Sequence, residues 1–454
     1  MPVNILNLPG LQVLDFKETD TEYHVKAVPA AHSKLCPHCG LSHSTIGHGK
    51  LPLFVRDLPT HGKRMMIHVD APRLLCKPCN KTFTATIPEI DANRLMTSRL
   101  VGWIGRQALD YTFAAIAEQV GIDEKTARNV FSEYAAKLQA DFKRETPVIL
   151  GIDEIYLGTA RGVITNIGER TVVDMLENRY KTTILAFLRS LEHPERITHC
   201  GMDMWRGYRE AVQEVLPHVA IVVDKYHVAR MGNEALERVR RKMKETLTPR
   251  INLGLKHDRK LLTKRKHDLT DHQYLIVTGW LNSFSLLGTA YDLKERYMQI
   301  WDVETKEEAL ATYLNWEATI PPELAKAFRP ITVAWRTWRK YILNYFDDKR
   351  VTNAFTESFN AKIRRAYQNG HGYSFEVLRA KILFSDALQK RSKVQEQVKV
   401  KRKQRFEDVG MERMCFELIV AEPEPQYDVR TVVRVTNLGT DLPTLLAEID
   451  GWTI

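Results

Sequence analysis

The chain has 454 residues, 44% of them hydrophobic and 27% charged, too many for one ordinary core and too apolar for disorder, so two to four packed domains are expected. Lysine and arginine number 66 against 56 aspartates and glutamates, and the net +10 points to a polyanionic partner, nucleic acid or an anionic membrane surface. No run of about 18 apolar residues exists and MPVNILNLPG lacks the regions of a signal peptide, which leaves no membrane partner and a cytoplasmic location as the expectation.

Residues 1–90 read as the first domain. Six cysteines are too few for a disulfide scaffold, but four form two Cys-x-x-Cys pairs, Cys36 with Cys39 in KLCPHCG and Cys76 with Cys79 in LLCKPCN. Two intervening residues let one turn present both sulfurs to a tetrahedral ion, and Pro37, Gly40, Pro78 and Asn80 shape those turns. The stretches LPLFVRDLP and MMIHVDAPRLL between the pairs read as short strands, which predicts a zinc ribbon holding one structural Zn²⁺. A redox centre would need a βαβ surround that neither pair has, and His38, His43 and His48 are not required once four thiolates close the site.

Residues 91–146 are helical. Ile116, Ala117 and Val120 form a stripe ending at Gly121, and a new helix starts after Asp123, burying Ala127, Val130 and Phe131. Two short helices joined through glycine fit a helix-turn-helix whose second helix offers Lys125, Arg128, Asn129 and Ser132 to a major groove; the plainer alternative is a helical connector.

From residue 147 strands and helices alternate. VILGIDEIYL, GVITNIG and RTVVDML read as three strands, the last two a hairpin turning at Gly168 and Glu169. The helix YKTTILAFLRSL, the strand ITHCGMD, the helix YREAVQEVL and the strand VAIVVD follow. Acidic residues end the first, fourth and fifth strands: Asp153, Asp203 and Asp224. Carboxylates on strand ends sit at the sheet edge where ligands bind. Far downstream, in VTNAFTESFNAKIRRAYQNGHGY, helical spacing puts Phe355, Phe359, Ile363 and Ala366 on one face, and Asn353, Glu357, Asn360 and Arg364 on the opposite one.

Two strand-end aspartates and a glutamate on a late helix resemble the site of RNase H-like nucleases and transposases. Hard divalent ions prefer carboxylate oxygens, and two Mg²⁺ about 4 Å apart stabilise both the attacking and the leaving oxygen of a phosphodiester. The segments GIDEIYLG, CGMDMWRGY, VVDKYHVAR and NAFTESFNAKIRRAYQNGHGY, in this order behind a zinc ribbon and a helix-turn-helix, make the chain similar to the ISL3 family of bacterial insertion-sequence transposases over roughly residues 1–390. The resemblance implies an Asp-Asp-Glu triad, with Asp153 first and Glu357 third. Asp203 is preferred to Asp224 as the second acid, and Asp224 with His227 forms a separate Asp-x-x-His signature lining the site; a capping or core role for His227 stays open. Asn353, Asn360 and Arg364 become accessory residues, two Mg²⁺ (or Mn²⁺) the cofactors, and double-stranded DNA, terminal repeats and target, the partner. Concerted cutting of two ends implies a homodimer or larger synaptic assembly, in a bacterial cytoplasm at the nucleoid.

The fold class expected is therefore multidomain α/β: zinc ribbon, helix-turn-helix, and a mixed α/β RNase H-like catalytic core in two parts, 147–228 and 341–390, interrupted by an all-α insertion at 229–340. Lys225 to Lys266 hold fourteen basic and four acidic residues, Arg240, Arg241 and Lys242 among them, which suggests phosphate contact. Trp280, Trp301, Trp316, Trp335 and Trp338 read mostly as core anchors, though one could stack on an unpaired base. Residues 391–454 comprise a basic run followed by an acidic tail without a counterpart in the family. The function expected is binding of inverted repeats, cleavage at the element ends and joining to target DNA. The rivals are a non-catalytic DNA-binding regulator and a structure-specific nuclease without strand transfer.

Overall fold

The computed structural model describes residues 6–348 and 351–389; the basic run and acidic tail, 391–454, lie outside the described residues. The N-terminal sheet comprises β1 (Leu11–Glu18), β2 (Glu22–Pro29), β3 (Thr45–Thr60), β4 (Lys63–Cys76) and β5 (Lys81–Thr84). Its order is β1-β2-β4-β3, with β5 paired to β4. The hairpin β3–β4 is far longer than the two short strands expected. Strict alternation carries it: Met65, Ile67, Val69 and Ala71 are buried while Met66, His68 and Asp70 between them are not. Pro72 is tolerated because it pairs at the edge of a register shift between Gly47 and Lys50.

Three helices follow: α1 (Ser98–Gln107), α2 (Phe113–Val120) and α3 (Glu124–Asp141). Gly121, at φ +80°, ends α2, and Asp123 caps α3, accepting from Thr126 N at 2.9 Å and Thr126 Oγ1 at 2.6 Å. Ala127, Val130 and Phe131 are buried as the stripe requires.

The second sheet is built from β6 (Ile149–Leu157), β7 (Thr159–Asn166), β8 (Thr171–Leu176), β9 (His199–Met202) and β10 (Ala220–Val223), in the order β10-β9-β6-β7-β8. β6, β7 and β8 pair antiparallel, while β9 and β10 add in parallel. Helices α4 (Lys181–Arg189) and α5 (Arg206–Val215) cross between the parallel strands and cover one face, packing on Leu150, Ile152 and Ile164. The other face, presenting Ile155, Val163, Val172 and Met175, is covered by the last two helices described below.

The insertion is all-helical, as expected: α6 (Lys225–Met243), α7 (Pro249–His257), α8 (Arg259–Thr263), α9 (Asp271–Ser283), α10 (Ser285–Met298), α11 (Lys306–Ala318) and α12 (Pro322–Leu343). Trp301, Trp316, Trp335 and Trp338 are buried in its core, and the Trp335 ring stacks on Tyr313 at 4.0 Å. Trp280 is half-buried and donates to Asp258 Oδ2 at 2.8 Å. The chain then returns through α13 (Ala354–Asn369) and α14 (Phe375–Phe384).

α14 joins the helix-turn-helix to the second sheet. It packs against α3, and Lys381, 3% exposed, donates to the Ala108 and Tyr111 carbonyls. Beside it, Arg379 donates to both oxygens of Asp174 on β8, at 2.7 and 3.1 Å, and Arg144 adds a third bond at 2.9 Å. Asp174 is 1% exposed, so Asp174→Ala would strand two half-buried guanidinium groups. We expect that substitution to cost about 3–5 kcal/mol in urea denaturation. A loss below about 1 kcal/mol would mean that water already carries those charges.

Candidate active site

The register of the parallel strands explains why three acids meet. Ile152 pairs with Met202, and Met202 with Val223, so the next residue on each strand is Asp153, Asp203 and Asp224 in one row. Alternation along the strands points all three away from the α4–α5 face, whose core takes Ile152 and Met202, and toward α13. Met202 also accepts from the Asp224 backbone N–H at 3.0 Å, extending the ladder to the row itself.

α13 can approach this row because the preceding pair in the register is Gly151 beside Gly201. A Cβ on Gly201 would lie 2.9 Å from Ile167 Cδ1 and 3.1 Å from Asn353 Oδ1, and one on Gly151 only 2.2 Å from Thr165 Oγ1. Over this flat patch Thr356 on α13 meets Thr165 at 2.8 Å, and Asn353 at the start of the helix is fully buried. The polar side of α13 is therefore not a solvent face. Asn360, 3% exposed, donates to Asp153 Oδ2 at 2.8 Å, and Glu357, one turn earlier, stays partly open to the cleft.

His227, in the first turn of α6, places Nε2 3.1 Å from Asp203 Oδ1 and 3.3 Å from Glu357 Oε1, bridging the second strand-end acid and the helical one. Asp224 has a different posture. It is 3% exposed, caps α6 through Tyr226 N at 3.3 Å, and its Oδ2 finds no donor among the described residues. Asp153, Asp203, Glu357, Asn360 and Arg364 line an open cleft of about 830 Å³, and Asp224 does not. Asn353 lies beneath it, its amide 3.5 Å from the Ile152 carbonyl.

Sequence reasoning missed several cleft residues: Glu154, Arg179, Trp205 and Arg230 also line it, with Arg179 paired to Glu154. The one available signal was Trp205 in DMWRGY, a tryptophan two residues after a strand-end acid.

Crowded acids raise one another. Burial, then the charge of Asp153, pushes the Asp203 carboxyl up to about 7; burial leads in raising Asp153, Asp224 and Glu357 as well. The folded protein thus holds protons that the unfolded chain, with aspartates near 3.9, has released, so this cluster costs stability as pH rises from about 4 through 7. Without added divalent metal, the wild-type melting temperature should fall relative to Asp203→Asn between about pH 5 and pH 8. Added Mg²⁺ should flatten that difference, and parallel profiles would show that the acids do not repel.

Such a set suits a hard cation. Ligand atoms of Asp203, Asp224 and His227 all lie within 4.8 Å of one another, and two further carboxylates stand next to them. In the N-terminal sheet, Cys36, Cys39, Cys76 and Cys79 form a second donor group. Their Sγ atoms stand 4.0 Å apart for Cys36–Cys79 and 3.6 Å for Cys39–Cys76, near the roughly 3.8 Å edge of a tetrahedron with 2.3 Å Zn–S bonds. The four thiolates therefore fit a structural zinc.

In the helix-turn-helix, Lys125, Arg128, Asn129 and Ser132 are exposed on α3; Arg128 is paired with Glu124 at 2.7 Å and its guanidinium stands over Phe113. Arg240 is 7% exposed and bound through Nε and Nη2 to Glu237 at 2.8 and 2.7 Å, so its charge is already paired where it borders the groove beside α6. Its neighbours Arg241 and Lys242 are exposed, and Arg241, Lys244, Lys256 and Arg259 line a groove of about 570 Å³.

Among the described residues no helix is long and apolar enough to cross a membrane. Comparison with known proteins matches residues 32–79 to the zinc finger of the IS204/IS1001/IS1096/IS1165 transposases, residues 85–135 to the helix-turn-helix domain of transposase family ISL3, and residues 150–382 to the transposase domain of that family. The transposase for insertion sequence element IS1001 of Bordetella parapertussis is 26% identical over 301 residues, covering 63% of this chain and 73% of that protein. With the ribbon, the helix-turn-helix and the mixed sheet following one another in the order of those matches, the chain belongs to the ISL3 family of transposases.

Proposed function

We propose that this transposase binds the terminal inverted repeats of a mobile element, hydrolyses the phosphodiester at each end and directs the freed 3′-hydroxyl onto target DNA. The observation that carries the proposal is the row of strand-end carboxylates completed by Glu357 in an open cleft that also holds Arg179, Arg230 and Arg364. Cationic side chains at its walls attract the phosphate backbone, while acids at its floor repel it unless a cation intervenes. Two Mg²⁺ or Mn²⁺ ions, when bound, would stabilise the attacking and leaving oxygens of an in-line displacement.

Asp153, Asp203 and Glu357 are the residues proposed to hold those ions. His227 keeps Asp203 and Glu357 at a fixed separation, and Asn360 fixes Asp153 by its 2.8 Å bond. Asp224 orients α6, and so His227, from beneath. Lys125, Arg128 and Asn129 would contact the repeat, and Arg241 and Lys242 with the groove beside them would follow flanking phosphates. Cutting two ends together calls for a dimer or larger assembly.

The test incubates purified protein, wild type and Asp153→Ala, with Mg²⁺ and a duplex carrying the element's ends. Wild-type cleavage followed by joining, both lost in the variant, is the expected result. Cleavage without joining would favour a structure-specific nuclease. Repeat binding by both proteins with cleavage by neither would leave a DNA-binding regulator.

A further inference from the structure

Phosphodiester chemistry is done by charged groups, and phosphate contacts are made by cations and by N–H and O–H donors. The flat face of an aromatic ring at the reacting cleft serves neither, whatever the edge of the ring can donate. Yet Trp205 is 43% exposed there, with Tyr156 at 68% and Tyr226 at 54% along the same walls, while Trp301, Trp316, Trp335 and Trp338 are 7% exposed or less.

The Trp205 ring is held, not loose. Its backbone N–H donates to the Asp203 carbonyl at 2.7 Å, so the indole belongs to the same turn as the second acid. The Arg179 guanidinium stands 4.3 Å from the ring centroid, and Arg179 is tied to Glu154, the residue after the first acid. The helix start leaves room for the indole because residue 207 is glycine, where a Cβ would lie 3.0 Å from Trp205 Nε1. A cation stacked on an indole fixes the ring plane and strengthens its attraction for a further π-system.

We infer that Trp205, backed by Arg179, is a stacking shelf for a DNA base that has left the double helix next to the scissile phosphate. The inference rests on the DNA-cleaving reading above. A base inside a duplex has both faces covered by its neighbours, so only an unpaired or extruded base offers a face to the ring. The shelf lies beside the acids, which places that base within a few nucleotides of the reacting bond. Because every base has a π-face, the shelf selects an opened DNA end and is indifferent to sequence.

The test is a cycle between ring and base. The probe is a duplex carrying the terminal inverted repeat of the element that encodes the chain, intact or abasic at each nucleotide flanking the cleavage site. Affinity is measured without divalent metal and cleavage rate with Mg²⁺. Trp205→Ala is expected to lose roughly tenfold or more on the intact duplex and nearly nothing further when one particular flanking base is absent. Trp205→Phe should keep most of the wild-type value and Trp205→Leu, a similarly bulky apolar change that guards against a folding defect, should lose it. Equal losses for Trp205→Leu and Trp205→Phe, or losses that no abasic position erases, would overturn the shelf. Should the wild type bind the repeat and cleave nothing, the cleavage reading falls, and the affinity cycle still decides the shelf.

Discussion

Asp203→Asn is expected to lower Mg²⁺-dependent cleavage of element ends by about a thousandfold or more while leaving repeat binding by α3 unchanged. The magnitude follows from the several kcal/mol of charge stabilisation that a correctly held divalent ion supplies. Asp224→Asn is the informative comparison. Both acids occupy the same step of the parallel ladder, yet Asp203 opens to the cleft and Asp224 is buried as the cap of α6. An asparagine at 224 keeps a capping oxygen, so α6 and His227 stay in place and the loss should be near tenfold. The reverse order, with Asp224→Asn abolishing cleavage and Asp203→Asn mild, would make Asp224 the second acid and Asp203 the partner that orients His227. Measuring single-turnover cleavage and repeat affinity on the same preparations separates a lost reaction from lost binding.

The acids were legible in the sequence because the features that place them are local. A strand ending on an acid can be read from alternation over a few residues, and the polar helix face that carries Glu357 from spacing over one turn, while its place as the third acid came from the resemblance. The zinc knuckles and the glycine turn before Asp123 are equally local, and each appears where the pattern puts it. What the sequence hid depends on partners distant along the chain. How closely the amide face of α13 approaches the sheet shows only when Gly151 and Gly201 are seen side by side beneath it. The arginine at 240 looks like one more basic residue in a basic run, and only the fold shows that it is buried against Glu237. β1 and β2 were invisible for a related reason: most of β1 is exposed, and its place comes from pairing with β2 rather than from an apolar run of its own. The tryptophans followed the same division, since the insertion's aromatic spacing announced a core, while Trp205 drew notice only once the cleft existed around it.

Zinc supports one end of the N-terminal sheet, and its removal should be felt there alone. Between residues 53 and 69 the hairpin β3–β4 buries Val55, Met65, Ile67 and Val69 against Tyr23, Val25 and Leu11. Toward the knuckles that core is absent: Ile46 and Leu51 are 43% and 39% exposed, and burial at that end falls to Cys36, Leu74 and Cys76. Thr45 pairs directly with Cys76, so the metal closes the ladder where no apolar contact does. Structural zinc binding contributes on the order of 10 kcal/mol in small thiolate sites, far more than this end could gain from its few buried side chains. Cys36→Ser should therefore drop zinc from one per chain toward none and abolish amide protection across residues 45–51 and 72–84, while residues 53–69 stay protected. The helix-turn-helix should survive, because it rests on the protected end: Arg64 on β4 donates twice to the Glu118 carbonyl of α2, and Asp57 on β3 accepts from Thr97 and Arg99 at α1. Unchanged stoichiometric zinc would refute Cys36 as a ligand. Protection lost throughout residues 11–84 would show that the metal, and not the apolar core, holds the whole sheet. If the fraying stays local but repeat affinity falls as well, the knuckle itself touches DNA, since α3 would still be folded and presented as before.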